Sequence, residues 1–219
     1  QLRRCRQPRR QPLPRRDWST SMLAPFAVWE PSPNFNAGRK GRQPQFIVIH
    51  ITDGGPHFDR CVKRFCDPNT KLSPHFVVGR AGELSQLVDT NNRAWHCSGW
   101  NTDSIGIEHV ARTPGELKNW GTLSLETRMS LLNSGEDPGL LSALEDPGML
   151  LTDVQLSTSA HLVAWLCKQH GWAISRERIR GHCENPASSH RDCGRDVTDG
   201  GIWPWSDYID LVIQEAANV

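Results

Sequence analysis

The 219-residue sequence has no apolar run that approaches the roughly 18 residues a membrane-crossing helix needs. Its longest candidate near the N-terminus, MLAPFAVW (22–29), is short, interrupted by proline and without a small-residue cleavage site. Neither a membrane span nor a secretory leader is expected there. Paired-cysteine spacing is missing as well. The seven cysteines (5, 61, 66, 97, 167, 183 and 193) are odd in number and include no C-x-x-C, which excludes the disulfide framework of a small secreted protein. Reduced thiols and folding in a reducing compartment are expected. Cys61 and Cys66 are five apart on a predicted helix, where they point to different faces. Acidic residues are absent from the first sixteen positions, QLRRCRQPRRQPLPRR, which hold seven arginines. Residues 17–219 then carry 18 Lys and Arg against 24 Asp and Glu. A basic arm of this kind can tether a protein to nucleic acid or to an anionic envelope. It can equally be an irregular tail, or sequence that precedes a start at Met22.

What remains is ordinary for a soluble globular chain, with 37% hydrophobic and 22% charged residues and length for one domain with a sizeable core. Residues 1–43 are rich in Pro, Arg and Gly and read as a mostly irregular arm, and residues 44–219 as the domain proper. FIVI (46–49) is a continuous apolar, β-branched run and predicts a buried strand. HFDRCVKRFCDPN predicts a short helix that ends at Asp67-Pro68. HFVVGRAGELSQLVD (75–89) predicts a hairpin turning at Arg80-Ala81-Gly82. SIGIEHV (104–110) predicts a strand with Ile105 and Ile107 on one face and Gly106 and Glu108 on the other. Residues 112–150, with a near-repeat of EDPGLL and EDPGML, read as a surface insertion with a short helix near 125–132. The strongest helix is LTDVQLSTSAHLVAWLCKQHGW, capped by Thr152 or Asp153 and stopped by Gly171. SDYIDLVIQEAANV predicts a second amphipathic helix. Strands and helices alternate, so the expected fold class is α/β: a single domain with a mixed central sheet flanked by helices.

GHCENPASSHRDCG (181–194) packs two His, two Cys, a Glu and an Asp into a stretch that reads as a long loop. A catalytic zinc takes three protein ligands and keeps a position open for water. His182 and Asp192 are ten residues apart on this Gly-flanked loop, which can fold back so that both reach one ion. His50 closes the FIVIH strand, where it can be a ligand or a plain surface residue. His57, His75, His96, His109, His161 and His170 are also present, so a count of histidines decides nothing.

FIVIHIT, SPHFVVGRAGELSQLV, RAWHCSG, SIGIEHV and GHCENPASSHRDCG occur in this order. Together they resemble the zinc-dependent N-acetylmuramoyl-L-alanine amidases of the type-2 amidase family, relatives of the peptidoglycan recognition proteins. The resemblance covers about residues 44–111 and 151–210, and its specificity lies in five motifs in order. It implies a mixed sheet with helices on it and Zn²⁺ at the bottom of a groove that holds a muropeptide. The family's zinc ligands fall on His50, His182 and Asp192, and its catalytic glutamate on Glu108. The Lys or His that precedes the family's aspartate by two residues falls on His190. His96 falls on a groove-lining position, Trp95 and Trp100 could pack on sugar rings, and His75 is a candidate for binding or support. The sequence departs from the family at Cys193, which replaces a usual proline and puts a thiol beside the proposed metal. Cys183 also flanks a ligand, but the matched positions are the His and the Asp.

The resemblance implies an enzyme that hydrolyses the amide between the lactyl group of N-acetylmuramic acid and L-alanine. Glu108 would take the proton of a metal-bound water and pass it to the leaving amine, and His190 would donate to the oxyanion. The alternative is a non-catalytic peptidoglycan-recognition module; such modules typically lose a zinc ligand, and here all three positions hold competent ones. A nucleic-acid partner is not expected, because the arginine arm explains none of residues 44–210. The protein is expected to act as a monomer on the cell wall or its fragments, as a phage endolysin, a tail-associated bacteriolytic hydrolase or a cytoplasmic recycling enzyme.

Overall fold

The computed structural model describes residues 21–53, 57–111, 151–188 and 203–219. Its centre is a six-stranded sheet in the order β1 (Val28–Trp29), β5 (Leu84–Gln86), β4 (Phe76–Val78), β7 (Ser104–His109), β3 (Phe46–Ile51), β8 (Ile179–Gly181). All pairings are parallel except the β4–β5 hairpin, so the sheet is mixed, as expected. β2 (Phe35–Asn36) and β6 (Arg93–Ala94) form a separate antiparallel pair. The hairpin turns at Gly82, whose φ of 89° suits a residue without Cβ. β3 is buried at all six positions because strands flank it and both faces are covered, which is why its sequence is a continuous apolar run rather than an alternating one.

The strand side chains divide by parity. Ile47, Ile49 and Ile51 of β3 and Ile105 and Ile107 of β7 join the larger core, with α2 (Asp153–His170) and α3 (Trp205–Glu215). α2 begins at Thr152, whose hydroxyl accepts from the Gln155 N–H, and ends at Gly171 in the left-handed conformation. On the opposite face α1 (Phe58–Cys66) packs Cys61, Val62 and Phe65 against Val77, Leu87 and Val110. Cys61 is buried in this second core and Cys66 only partly so. No helix among the described residues is long and apolar enough to cross a membrane.

Two expectations need correction. Residues 21–43 contain little regular structure, yet they are part of the packed body. Ala24 joins the main core, β1 pairs with β5, and buried Arg39 donates to the carbonyls of Thr90, Thr102 and Ser104. The loop expected after α2 opens instead with β8 and a 3₁₀ turn, His182–Glu184. Three residues are too few to show a strand period, and β8 is defined by its partner β3 rather than by its own sequence. The helix expected near 125–132, the arginine arm, His190, Asp192 and Cys193 all lie outside the described residues.

A chain of hydrogen bonds ties the main core to β3. The His50 carbonyl can only accept, so His109 Nδ1, 2.9 Å away, is the protonated nitrogen. Nε2 of His109 then accepts from Ser159 Oγ at 2.7 Å, and Ser159 in turn accepts from the Tyr208 hydroxyl at 2.6 Å. Burial holds His109 neutral, pushing its pKa down to about 3, and keeps Tyr208 protonated. The chain thus crosses from α3 through α2 to the backbone of the residue that the sequence singles out on β3. Ser159→Ala strips the partner from two buried groups at once and is expected to destabilise the fold by about 2–3 kcal/mol. Adding Tyr208→Phe should cost less than its separate effect. Urea-denaturation midpoints of the two single variants and the double variant measure this coupling, and additivity would mean that the chain is not a unit.

Candidate active site

The parallel register sets Glu108 beside His50: the two residues are Cα partners on β7 and β3. Both follow the parity opposite to the isoleucines, so they lie on the face away from α2. β8 pairs Gly181 with Ile49, and the chain then turns at His182, one residue beyond the end of that ladder. Three adjacent parallel strands therefore deliver Glu108, His50 and His182 in a row at their C-terminal ends. The His50 and His182 rings meet edge to face with centroids 4.6 Å apart. His50 Nδ1 lies 4.0 Å from Glu108 Oε1. Their exposures are 1% for His50 and 7% for His182, and the Glu108 side chain is 13% exposed.

The turn that carries His182 is held at both ends. The Gly181 N–H donates to Glu184 Oε1 at 2.8 Å, and Arg176 pairs with the same carboxylate. Asn185 donates to the Ser98 carbonyl at 2.8 Å and fastens the turn to the 96–101 loop. That loop is closed by Asn101, whose Oδ1 accepts the N–H groups of His96 (3.0 Å) and Cys97 (2.6 Å). His96 Nδ1 consequently sits 2.9 Å from His50 Nε2. Burial, and then the neighbouring His50, holds the His96 pKa well below the ordinary imidazole value, so the ring is neutral.

His182, His96, Trp95, Asn101 and Ser188 line a cleft of about 430 Å³ with Lys71 and Leu72 on its rim. His182 Nε2 is 3.1 Å from Ser188 Oγ, and Trp95 Nε1 donates to Asn36 Oδ1 at 2.8 Å. Trp95 and His96 both line this cleft. Trp100 instead packs edge to face on Phe46 with centroids 5.0 Å apart.

His75 does not reach the cleft. It is fully buried behind the His96 ring, with centroids 5.6 Å apart, where Nδ1 accepts the Gly106 N–H at 3.0 Å and Nε2 faces the Asn92 carbonyl at 3.1 Å. Burial and the Arg39 guanidinium, whose nitrogen is 2.8 Å from Nε2, push its pKa well down. Its hydrogen bonds tie it to β7, and it is not among the residues that line the cleft. Gly106 matters through what it lacks: its missing side chain makes room for the His96 ring, and a Cβ there would lie 2.8 Å from His96 Cδ2. Asn101, Ser104, Ser188 and Arg39 all serve this region and carry no sequence signal of their own, since isolated polar residues in loops are indistinguishable from solvated ones.

The other histidines fall elsewhere. His109 faces the main core, His161 on α2 pairs with Glu215 at 3.0 Å, and His170 stacks on Trp172. Cys183 packs against the main core, so it is not aimed at the cleft with His182. Two imidazoles with a carboxylate alongside form a donor set suited to zinc. Among the described residues no three His, Cys, Asp or Glu side chains converge as a complete metal site. The described part fits two of three ligands, and the third expected position, Asp192, lies outside it.

Residues 40–195 match the profile of the N-acetylmuramoyl-L-alanine amidase family. N-acetylmuramoyl-L-alanine amidase A of Achromobacter lyticus is 24% identical over 190 residues, which span 85% of this chain and 93% of that protein. The 1,6-anhydro-N-acetylmuramyl-L-alanine amidase AmpD of Citrobacter freundii is 29% identical over 102 residues, 36% of this chain and 54% of that protein. A crystal structure of a selenomethionine AmpD derivative superposes with a TM-score of 0.57 at 21% identity, covering 86% of this chain and 96% of the other, and shares the fold.

Gly106→Ala tests the packing of the site from its floor. The added methyl displaces the His96 ring and is expected to destabilise the fold by about 1–3 kcal/mol. Loss of the His50–His96 contact should accompany it. A variant with unchanged thermal stability and an unchanged His96 ring environment by NMR would contradict the geometry.

Proposed function

The chain belongs to the N-acetylmuramoyl-L-alanine amidase family, and we propose that it is a zinc-dependent hydrolase that opens the N-acetylmuramoyl–L-alanine amide in the bacterial cell wall. The observation that carries the reading is the row of Glu108, His50 and His182 at the C-terminal ends of β7, β3 and β8, beside the cleft. His50, His182 and Asp192 would hold the ion. Bound there, zinc would supply a Lewis acid for the scissile carbonyl and bring the pKa of water towards 7.

The chain's own residues do the rest. Glu108 stands 4.0 Å from His50 with its side chain 13% exposed, largely shielded from water yet not sealed from it. It takes the proton of the attacking water and returns it to the leaving L-alanine amine. His190 takes the donor role towards the tetrahedral oxyanion, as the family's Lys or His at the matching position implies. Trp95 offers an apolar surface in the cleft for the glycan or the peptide stem.

The purified protein is expected to carry close to one zinc per chain, and chelation should abolish release of new L-alanine amino termini from wall. His50→Ala, His182→Ala and Asp192→Ala should each lose both metal and activity; full zinc retention in the two histidine variants would sink the ligand assignment. Glu108→Gln keeps the shape and removes the proton acceptor. It is expected to lower activity by about 10²–10⁴-fold while zinc content and melting temperature stay near wild type. A loss of less than threefold would transfer the proton to another group. Rates on sacculi compared with rates on soluble anhydro-muropeptides separate a lytic enzyme from a recycling one.

A further inference from the structure

The hydrogen bonds behind His50 run in one direction. Ser104 Oγ lies 2.8 Å from the Trp100 carbonyl oxygen. A carbonyl has no proton to give, so the serine proton is committed to that bond. The same Oγ faces His96 Nε2 at 3.3 Å, and with its proton used it can only accept there. His96 therefore carries its proton on Nε2 and its lone pair on Nδ1. That lone pair accepts from His50 Nε2, 2.9 Å away. While His50 is neutral, and so has one N–H, its lone pair is on Nδ1, the nitrogen on the Glu108 side. A nearby carboxylate on its own favours the opposite tautomer, with the proton on Nδ1 and directed at it. The relay works against that preference.

We infer that Ser104 and His96 form a tautomer-setting relay that keeps the proton of His50 on Nε2 and so presents its Nδ1 lone pair towards the ion. The last clause rests on the zinc reading above; the tautomer itself does not. His96 is thus a positioning residue as well as a wall of the cleft. Its ring is held for this purpose on three sides. Asn101 closes the loop beneath it, Gly106 leaves room for its face, and Ser104 fixes its far nitrogen. Metal-binding histidines commonly need such a partner on the second nitrogen, and its loss typically costs about 10–100-fold in metal affinity.

The tautomer is read on metal-free protein by proton–nitrogen correlation of ¹⁵N-labelled histidine rings. His50 is expected to be protonated at Nε2 and bare at Nδ1. Ser104→Ala should loosen this state, and His96→Phe should mix or reverse it. His96→Gln, whose amide oxygen can still accept from His50 Nε2, should restore it. Zinc affinity by chelator competition is expected to fall about 10–100-fold in His96→Phe and to stay within about threefold of wild type in His96→Gln. Equal affinities for the Phe and Gln variants would overturn the relay. So would wild-type His50 protonated at Nδ1. If His96→Phe does not fold, Ser104→Ala carries the comparison, and an unchanged His50 tautomer there counts against the proposal. Protein that shows the expected tautomer but binds no zinc would overturn the metal reading and leave the relay standing, so the two failures are distinguishable.

Discussion

Parallel pairing of β3 with β7 on one side and β8 on the other is the constraint on which the rest of this structure depends. Parallel strands point their C-terminal ends the same way, and their connections must cross back over the sheet. Here that leaves one end of the sheet free for Glu108, His50 and His182, while α2 and α3 cover one face and α1 the other. A slip of one residue in β3 would turn His50 into the isoleucine core and an isoleucine out beside Glu108. Apolar burial on the α2 face therefore fixes which side chains face the cleft, although none of the isoleucines touches it.

The same end of the sheet is unusually polar for a buried region. His75, His96 and His109 lie behind or beside His50, and burial keeps all three uncharged. A buried neutral imidazole must still satisfy one donor and one acceptor. Each ring has a partner on both nitrogens: the Gly106 N–H and the Asn92 carbonyl for His75, the His50 ring and Ser104 for His96, the His50 carbonyl and Ser159 for His109. Such networks are costly when half made and rigid when complete. Completeness here places His50 between two fixed rings, one on its side chain and one on its carbonyl. A hydrolase that must hold a water, a carbonyl and a proton acceptor within reach of one another gains from that rigidity.

Much of this was legible in the sequence, and the pattern of what was not is physical. FIVI announces β3 because a strand covered on both faces has only apolar positions. SIGIEH announces β7 because its two faces differ. Thr152 and Gly171 bound α2 by cap chemistry that needs no tertiary partner. β1, β2 and β8 escaped because two or three residues carry no period, and each is made by its neighbour. In the site, His50, Glu108 and His182 could be named from motif order. His75 can be read for binding or for support, because a motif gives a residue's position along the chain but not its depth in the fold; its ring lies on the face that carries Gly106 and His96, buried short of the cleft. Ser104 and Asn101 were invisible because their work is done through other side chains.

Gly106 joins these two kinds of legibility. In the sequence it is the glycine of a strand, a residue that weakens a strand unless something needs the space. In the structure its N–H supports His75 and its missing side chain admits His96. One backbone position thus connects the buried His75 ring to the ring that touches His50. Any larger residue there would have to move His96, and moving His96 would release the Nε2 proton of His50 from its acceptor. The glycine in SIGIE is therefore tied to the same requirement as the glutamate two residues later. Glu108 stands beside Nδ1 of His50, and Gly106 makes room for the ring that meets Nε2.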